Sequence, residues 1–372
     1  MKTIVKYWLY AFAGLLVFAC KPNEIKNTAP VTYYQPVFSA NQRSTSDSNS
    51  IRFVGVGDIM LGSNYPSASY LPPNDGKDLL DEVKPFLLDA DVTFGNLEGT
   101  YLDAGGTVKK CSNPNICYAF RSPVRYLDYI KDAGFDLLSL ANNHSGDFGS
   151  EGRNSTKKEL AARGLAYAGL TDCPTAVIER NGRKIGFVAF APNSGTIDIR
   201  DISKAAALIA DLDKIADIIV VSFHGGAEGA AYQHVPFGSE TYLGENRGNL
   251  RLFTHALIDA GADVIFGHGP HVTRGIELYK NRFVAYSLGN FATYGRFSLK
   301  GPNGLCPIVN VKTDTEGAFI SGKISPVKQI GEGIPRIDAE KQVIKIMQNL
   351  SKTDFPDSPL VISEDGDVSK NN

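Results

Sequence analysis

An excess of charge of either sign is the first thing this sequence lacks. Its 38 Lys and Arg stand against 40 Asp and Glu, a formal net charge of −2. So balanced a chain offers no basic footprint for nucleic acid, and no nucleic-acid partner is expected. Histidine is scarce, with six in 372 residues. Cysteine occurs five times but never as C-x-x-C, so a zinc site made of cysteines lacks its usual spacing. No internal repeat of fixed period occurs. The apolar run Tyr7 to Ala19 falls short of the ~20 residues that cross a bilayer as a helix. What remains, 43% hydrophobic and 21% charged, is globular in character, with length for one large domain or two ordinary ones.

The N-terminus, MKTIVKYWLYAFAGLLVFAC, places Lys2 and Lys6 before that apolar run and Cys20 after it, the layout of a signal-peptide core. Val17-Phe18-Ala19-Cys20 resembles the lipobox of bacterial lipoproteins, although Phe18 departs from the small residue usual there. The resemblance implies lipidation of Cys20, and several acyl chains would anchor the protein durably to a membrane of the cell envelope. An ordinary secreted protein cleaved nearby is the competing reading. Residues 1–20 are thus expected as a signal peptide and 21–50 as a flexible tether ending in Ser, Asn and Asp. Residues 51–352 are expected as the folded domain and 353–372 as a polar, disordered tail. Export would expose the remaining cysteines to an oxidising compartment. Cys111 and Cys117 flank a short Ser/Asn/Pro loop and are expected to pair, which leaves Cys173 with Cys306.

From Ile51 onward, short apolar runs alternate with segments of helical spacing. The runs are 51–57, 91–96, 136–141, 184–191, 217–223, 263–267 and 282–288. Between them, 77–88, 122–134, 150–164, 203–216 and 246–261 read as helices, and IDAEKQVIKIMQNLSK as one more. This alternation predicts an α/β domain with largely buried sheets. Metal-capable side chains recur where the strands end: Asp58, then Asn96 and Glu98, then Asn142, Asn143 and His144, then His224, then His268 and His271. Taken singly, each has a bland reading as a turn, cap or core residue. Their joint placement at successive strand ends, where ligands of α/β sheets bind, predicts convergence on one centre. Mixed oxygen and imidazole donors suit one or two Mn, Fe or Zn ions better than calcium. His255, inside a helical segment, is expected as a hydrogen-bonded core residue, and His234 as a surface or substrate-side one. Arg247 and Arg274 are candidates for holding a substrate phosphate or carboxylate. Phe291 and Tyr294 fit either a pocket wall or the core.

The ordered series GDIMLG, NLEG, LANNH with Asp147, HGGAE, GHGPHV and YSLGNF resembles the bacterial capsule-synthesis CapA family, also called poly-γ-glutamate synthesis proteins, over residues 51 to about 325. That family is similar to calcineurin-like metallophosphoesterases, which implies a four-layer αββα sandwich. The resemblance implies that Asp58, Asn143, His224, His268 and His271 are metal ligands. It makes His144 the general acid and Glu98, or else Asn96, the bridging residue. Three departures stand out: Met60 where the phosphoesterases carry histidine, Asn-Leu-Glu in place of two aspartates, and a His-Gly-Pro-His pair one residue longer than theirs. The leading expectation is a metal-dependent phosphoesterase-like hydrolase working on a cell-envelope polymer, within a capsule-synthesis complex. A non-catalytic polymer-binding or assembly factor is the alternative. A secreted nucleotidase comes last, since nothing resembles its extra nucleoside-binding domain.

Overall fold

The computed structural model describes residues 38–39, 49–111, 113 and 117–371. The expected signal peptide, Cys20 and most of the tether lie outside the described residues. Strand β1 (Ser50–Met60) turns Ile51 and Phe53 to one face and Val54 and Val56 to the other, as the two-residue period of a strand requires. Then come α1 (Lys84–Leu88), β2 (Val92–Leu97), α2 (Tyr126–Asp132), β3 (Leu137–Ser139), α3 (Gly149–Ala162) and β4 (Ala166–Ala168). Strands β1 to β4 pair in sequence order and in parallel, because helical crossovers return the chain to the same end of the sheet each time. A second sheet follows, with β5 (Thr175–Arg180), β6 (Arg183–Phe190), α4 (Ile202–Leu212), β7 (Ile218–His224), α5 (Leu250–Asp259), β8 (Val264–His268), β9 (Ile276–Tyr279) and β10 (Arg282–Ala285). Its order is β5-β6-β7-β8-β10-β9. The chain then re-enters the first sheet. Strand β11 (Asn290–Thr293) runs parallel to the end of β1, while β12 (Leu305–Asp314) pairs antiparallel with the start of β1. Beyond β12 lie β13 (Phe319–Ile330) and β14 (Ile334–Ile337), then α6 (Gln342–Asp354), β15 (Leu360–Ile362) and β16 (Asp367–Lys370).

Three apolar clusters define the layers. Phe53, Phe94 and Leu137 of the first sheet meet Phe187, Val220 and Phe266 of the second, and Phe94 stacks on Phe266 at 5.4 Å. On the outer face of the first sheet, α1, α2 and α3 bury Leu87, Ile130 and Leu160 against Val54, Val56 and Leu138. On the outer face of the second, α4 and α5 bury Ile209 and Phe253 against Val188 and Val221. The order is helix, sheet, sheet, helix, the expected four-layer αββα sandwich. Helix α6 lies in neither outer layer. Its Val343, Ile344 and Met347 enter the core between the sheets.

Several expectations need correcting. The C-terminal residues are part of the domain: β16 pairs with β13 through Gly322↔Val368, and Val368 is buried between the sheets. A polar composition concealed that alternation. At the other end, Phe38–Ser39 of the expected tether pair with Ile178 and Glu179 of β5. The Cys111–Cys117 disulfide is present, but Cys173 and Cys306 are free, buried thiols. Cys306 lies on β12 and Cys173 just beyond β4, four strand positions away in the sheet. At about 4.8 Å per strand this is roughly 19 Å, far beyond disulfide reach. Among the described residues, no helix is long and apolar enough to cross a membrane.

Asp263, in the turn before β8, lies at the end of the sheet opposite His268. It accepts from the Ile219 amide at 2.7 Å and pairs with Arg282 at 3.0 Å. Burial nevertheless outweighs both partners and pushes its carboxyl up to about 7, from an ordinary 3.8. Between those values the folded state keeps a proton that the unfolded chain has released. Stability from this group is therefore full below about pH 4 and is lost as pH rises through 7. In thermal unfolding, the Tm of wild type minus that of Asp263→Asn is expected to fall steadily from pH 4 to pH 7.

Candidate metal centre

The parallel strands of both sheets end on one line, and the polar residues collect there. Asp58 lies within β1 and Asn96 within β2, with Glu98 just beyond; Asn142, Asn143 and His144 occupy the turn after β3. His224 and His268 end β7 and β8 side by side in register. Strand β1 continues past the expected stop at Gly57, with its register on β2 shifting between Gly55 and Asp58. That irregularity re-aims the end of the strand. Two close approaches need glycine. A Cβ on Gly57 would collide with the Gly289 carbonyl, and one on Gly269, at φ +113°, would lie 2.5 Å from the Gly225 carbonyl oxygen. The loop after β7 and the GHGPH turn thus touch backbone to backbone. His271 itself takes φ +56°, a left-handed conformation unfavourable by roughly 1–3 kcal/mol for a non-glycine residue.

Asp58 is fully buried and accepts from Asn96 Nδ2 at 2.8 Å and His271 Nδ1 at 2.9 Å, with His268 Nδ1 at 3.3 Å. Burial alone would raise its pKa. The two imidazoles more than reverse that and hold the carboxyl well below the usual range. Glu98 goes the other way, raised by burial and then by the negative charge of Asp58. His271 is pushed up to about 10 despite its burial, because Glu98 and Asp58 both favour its charged form. Its Nδ1 faces two acceptors, Asp58 and Asn290 Oδ1 at 3.0 Å, so Nδ1 carries a proton. That leaves Nε2, 3.6 Å from Glu98 Oε1, as the atom that would ligate a metal on giving up its proton. His224 is driven well down by burial and then by the Arg247 charge.

Asp58, Glu98 and His271 each offer a donor atom, all within 4.8 Å of one another, a group that fits a divalent cation. Around it, both oxygens of Glu98, both ring nitrogens of His224, Nε2 of His268 and Oδ1 of Asn143 are buried without a hydrogen-bond partner among the described residues. Buried polar atoms are nearly always partnered, so this concentration of orphaned donors fits a metal. Beside them, His144 Nδ1 lies 2.7 Å from Asp147 Oδ2, and Asp147 also pairs with Lys109 at 2.6 Å. Burial lowers the pKa of His144, while Asp147 opposes the shift.

Residues 52–294 match the model of the family described as bacterial capsule synthesis protein PGA_cap. The chain belongs to this family. It is 30% identical over 256 residues to the capsule biosynthesis protein CapA of Bacillus anthracis, covering 63% of this chain and 58% of that one. It is likewise 30% identical over 254 residues to the PGA biosynthesis protein CapA of Bacillus subtilis (strain 168), covering 63% and 61%. The chain thus spans about three fifths of the length of these curated relatives. Among solved structures, purple acid phosphatase PPD1 from yellow lupin seeds superposes with TM-score 0.39 at 12% identity, covering 79% of this chain and 55% of that one.

In this family member some expected site residues stand elsewhere. Asn96 engages Asp58 through its amide. Asn142 accepts from the His144 amide and donates to the Leu97 carbonyl, which turns its Nδ2 also to Asn96 Oδ1 and leaves Asn96 Nδ2 for Asp58. Arg274 does not face a substrate. It is fully buried, donating to both Glu240 oxygens at 2.8 and 2.7 Å and to the Tyr232 carbonyl. Arg247 is buried beside Glu228 at 3.0 Å, and it touches the site through its charge on His224. His255 pairs with Glu277, exposed His234 pairs with Asp354, and Phe291 is core. Asn290 escaped the sequence analysis although it stands inside the YSLGNF motif. Its Nδ2 donates to the His271 carbonyl at 3.3 Å and its Oδ1 accepts from the His271 ring, so it fixes that side chain. For Arg274→Ala, which strands Glu240 in the interior, denaturant unfolding is expected to show a loss of about 3–5 kcal/mol. A variant as stable as wild type would contradict a structural role.

Proposed function

We propose that this protein is a metal-dependent, phosphoesterase-like hydrolase that makes, anchors or trims a capsule or other cell-envelope polymer of poly-γ-glutamate type. The cluster of orphaned buried donors carries the reading. Asp58, Glu98, Asn143, His224, His268 and His271 would hold one or two ions, with Mn, Fe or Zn suited to the mixed donors. When bound, the metal supplies an activated water and a clamp for the oxygens of a phosphoryl group. The protein's residues do the rest. Asn96 keeps one oxygen of Asp58 turned inward, Asn290 orients His271, and Asp147 holds His144 Nδ1 so that Nε2 delivers a proton to the leaving group. The relatives named for capsule and PGA biosynthesis support the polymer half of the proposal.

A non-catalytic, polymer-binding assembly factor is the second reading. Met60 favours it, buried where the resemblance calls for an imidazole, as does the Asn96 amide that engages an Asp58 oxygen. Metal content and turnover of a phosphodiester and a phosphomonoester, with added manganese, separate the two. Under the first reading the purified protein holds metal, chelation abolishes turnover and manganese restores it. His224→Ala and His268→Ala then lose at least a hundredfold in kcat while unfolding near the wild-type temperature. Full turnover in either variant would rule the metal mechanism out.

Cys20 is proposed as the site of lipid attachment, holding the domain at a membrane of the cell envelope through the segment that follows. Cys20→Ala is expected to move the protein from the membrane fraction to the soluble fraction. An unchanged distribution would count against the anchor.

A further inference from the structure

Just beyond the metal centre, Arg296 is half-buried, and no carboxylate among the described residues pairs with it. Its guanidinium instead lies over three rings: Tyr70 at 5.2 Å, Tyr118 at 5.1 Å and Phe120 at 5.8 Å. Its Nη1 makes only long contacts, 3.4 and 3.3 Å, to the carbonyls of Tyr65 and Ala119. Nε and Nη2 donate to no described residue. The backbone holds this arginine at φ +65°, a conformation that persists only where surrounding structure imposes it. The rings connect the cage to the chemistry. Phe120 lies 4.4 Å from the ring of His144 and stacks on Phe297 at 5.0 Å, and Phe297 lies 5.8 Å from the ring of His271. Tyr118 is 44% exposed, so the cage opens to solvent.

We propose that Arg296 is a substrate-binding residue, receiving an anionic group of the substrate one aromatic layer away from the reacting centre. Aromatic faces orient and partly desolvate a guanidinium without neutralising it, so its planar fork stays available for a carboxylate or a phosphate. Phe120 and Phe297 would cover the apolar stretch between that group and the bond under attack. The substrate class is therefore one that repeats its negative charge: a polyanion with a second acidic group a short apolar span from the first. The inference rests on the proposed reading of the metal centre as the place where substrate reacts.

The test is calorimetric binding to the full chain, which needs no turnover. The probes are a glutamate pentamer for carboxylate and tripolyphosphate for phosphate, each at low and at physiological salt. Wild type should bind at least one probe, more weakly as salt rises, and the tighter probe identifies the source of the anion. Arg296→Gln should weaken that binding by ~10-fold or more, the scale of a charge-assisted hydrogen bond, while Arg296→Lys retains part of it. Arg200→Gln, which alters an exposed arginine paired with Asp198, should bind like wild type. Equal binding by wild type and Arg296→Gln would overturn the proposal, as would no binding of either probe by wild type. If binding follows Arg296 while no phosphoester is turned over, the anion site stands and the hydrolytic reading falls.

Discussion

Asp58 holds a negative charge with none of its surface exposed, at the line where two sheets meet. A buried carboxylate is tolerable only when its surroundings answer it. Here the answers come from both sheets: Asn96 from the first, and His268 and His271 from the end of the second. The ion pairs and hydrogen bonds at this one side chain tie the ends of the two sheets together, beside the apolar core that packs their faces. They also act on the charges of their neighbours: burial and then the Asp58 charge raise Glu98, and Glu98 together with Asp58 raises His271 against its burial. Removing Asp58 would therefore unsettle a set of protonation states rather than a single contact.

Holding imidazoles around a buried charge requires backbone to come closer than side chains permit. The glycines at 57 and 269, like Gly267 beside His268, meet that need where strand ends nearly touch. His271 is the exception that shows the constraint. It takes a left-handed conformation that glycine would adopt freely, and from that position its imidazole faces Asp58 with one nitrogen and Glu98 with the other.

The sequence made the site legible because strand ends of an α/β domain converge whatever their separation along the chain. Asp58 and His271 are 213 residues apart and still share a hydrogen bond. The apolar runs and helical spacings likewise gave the layers. Side-chain allegiance was harder to read. Nothing near Arg274 in sequence announces that Glu240 will claim it, and the donor face of Asn96 depends on a relay through Asn142 to a backbone carbonyl. The C-terminal strands were hidden for a related reason. Val368 is one apolar residue among polar ones, and its burial becomes favourable only once β13 provides an edge to pair with.

That late pairing has a consequence for how the molecule coexists with others like it. The larger sheet ends on Leu360–Ile362 at one side and Ala166–Ala168 at the other, three residues each. A long open edge is a template on which a foreign strand can grow, and short outer strands deny it one. Between them, the strands that follow β13 therefore shield its twelve-residue edge from edge-to-edge aggregation, β14 along Val327–Ile330 and β16 at Gly322 and Lys323.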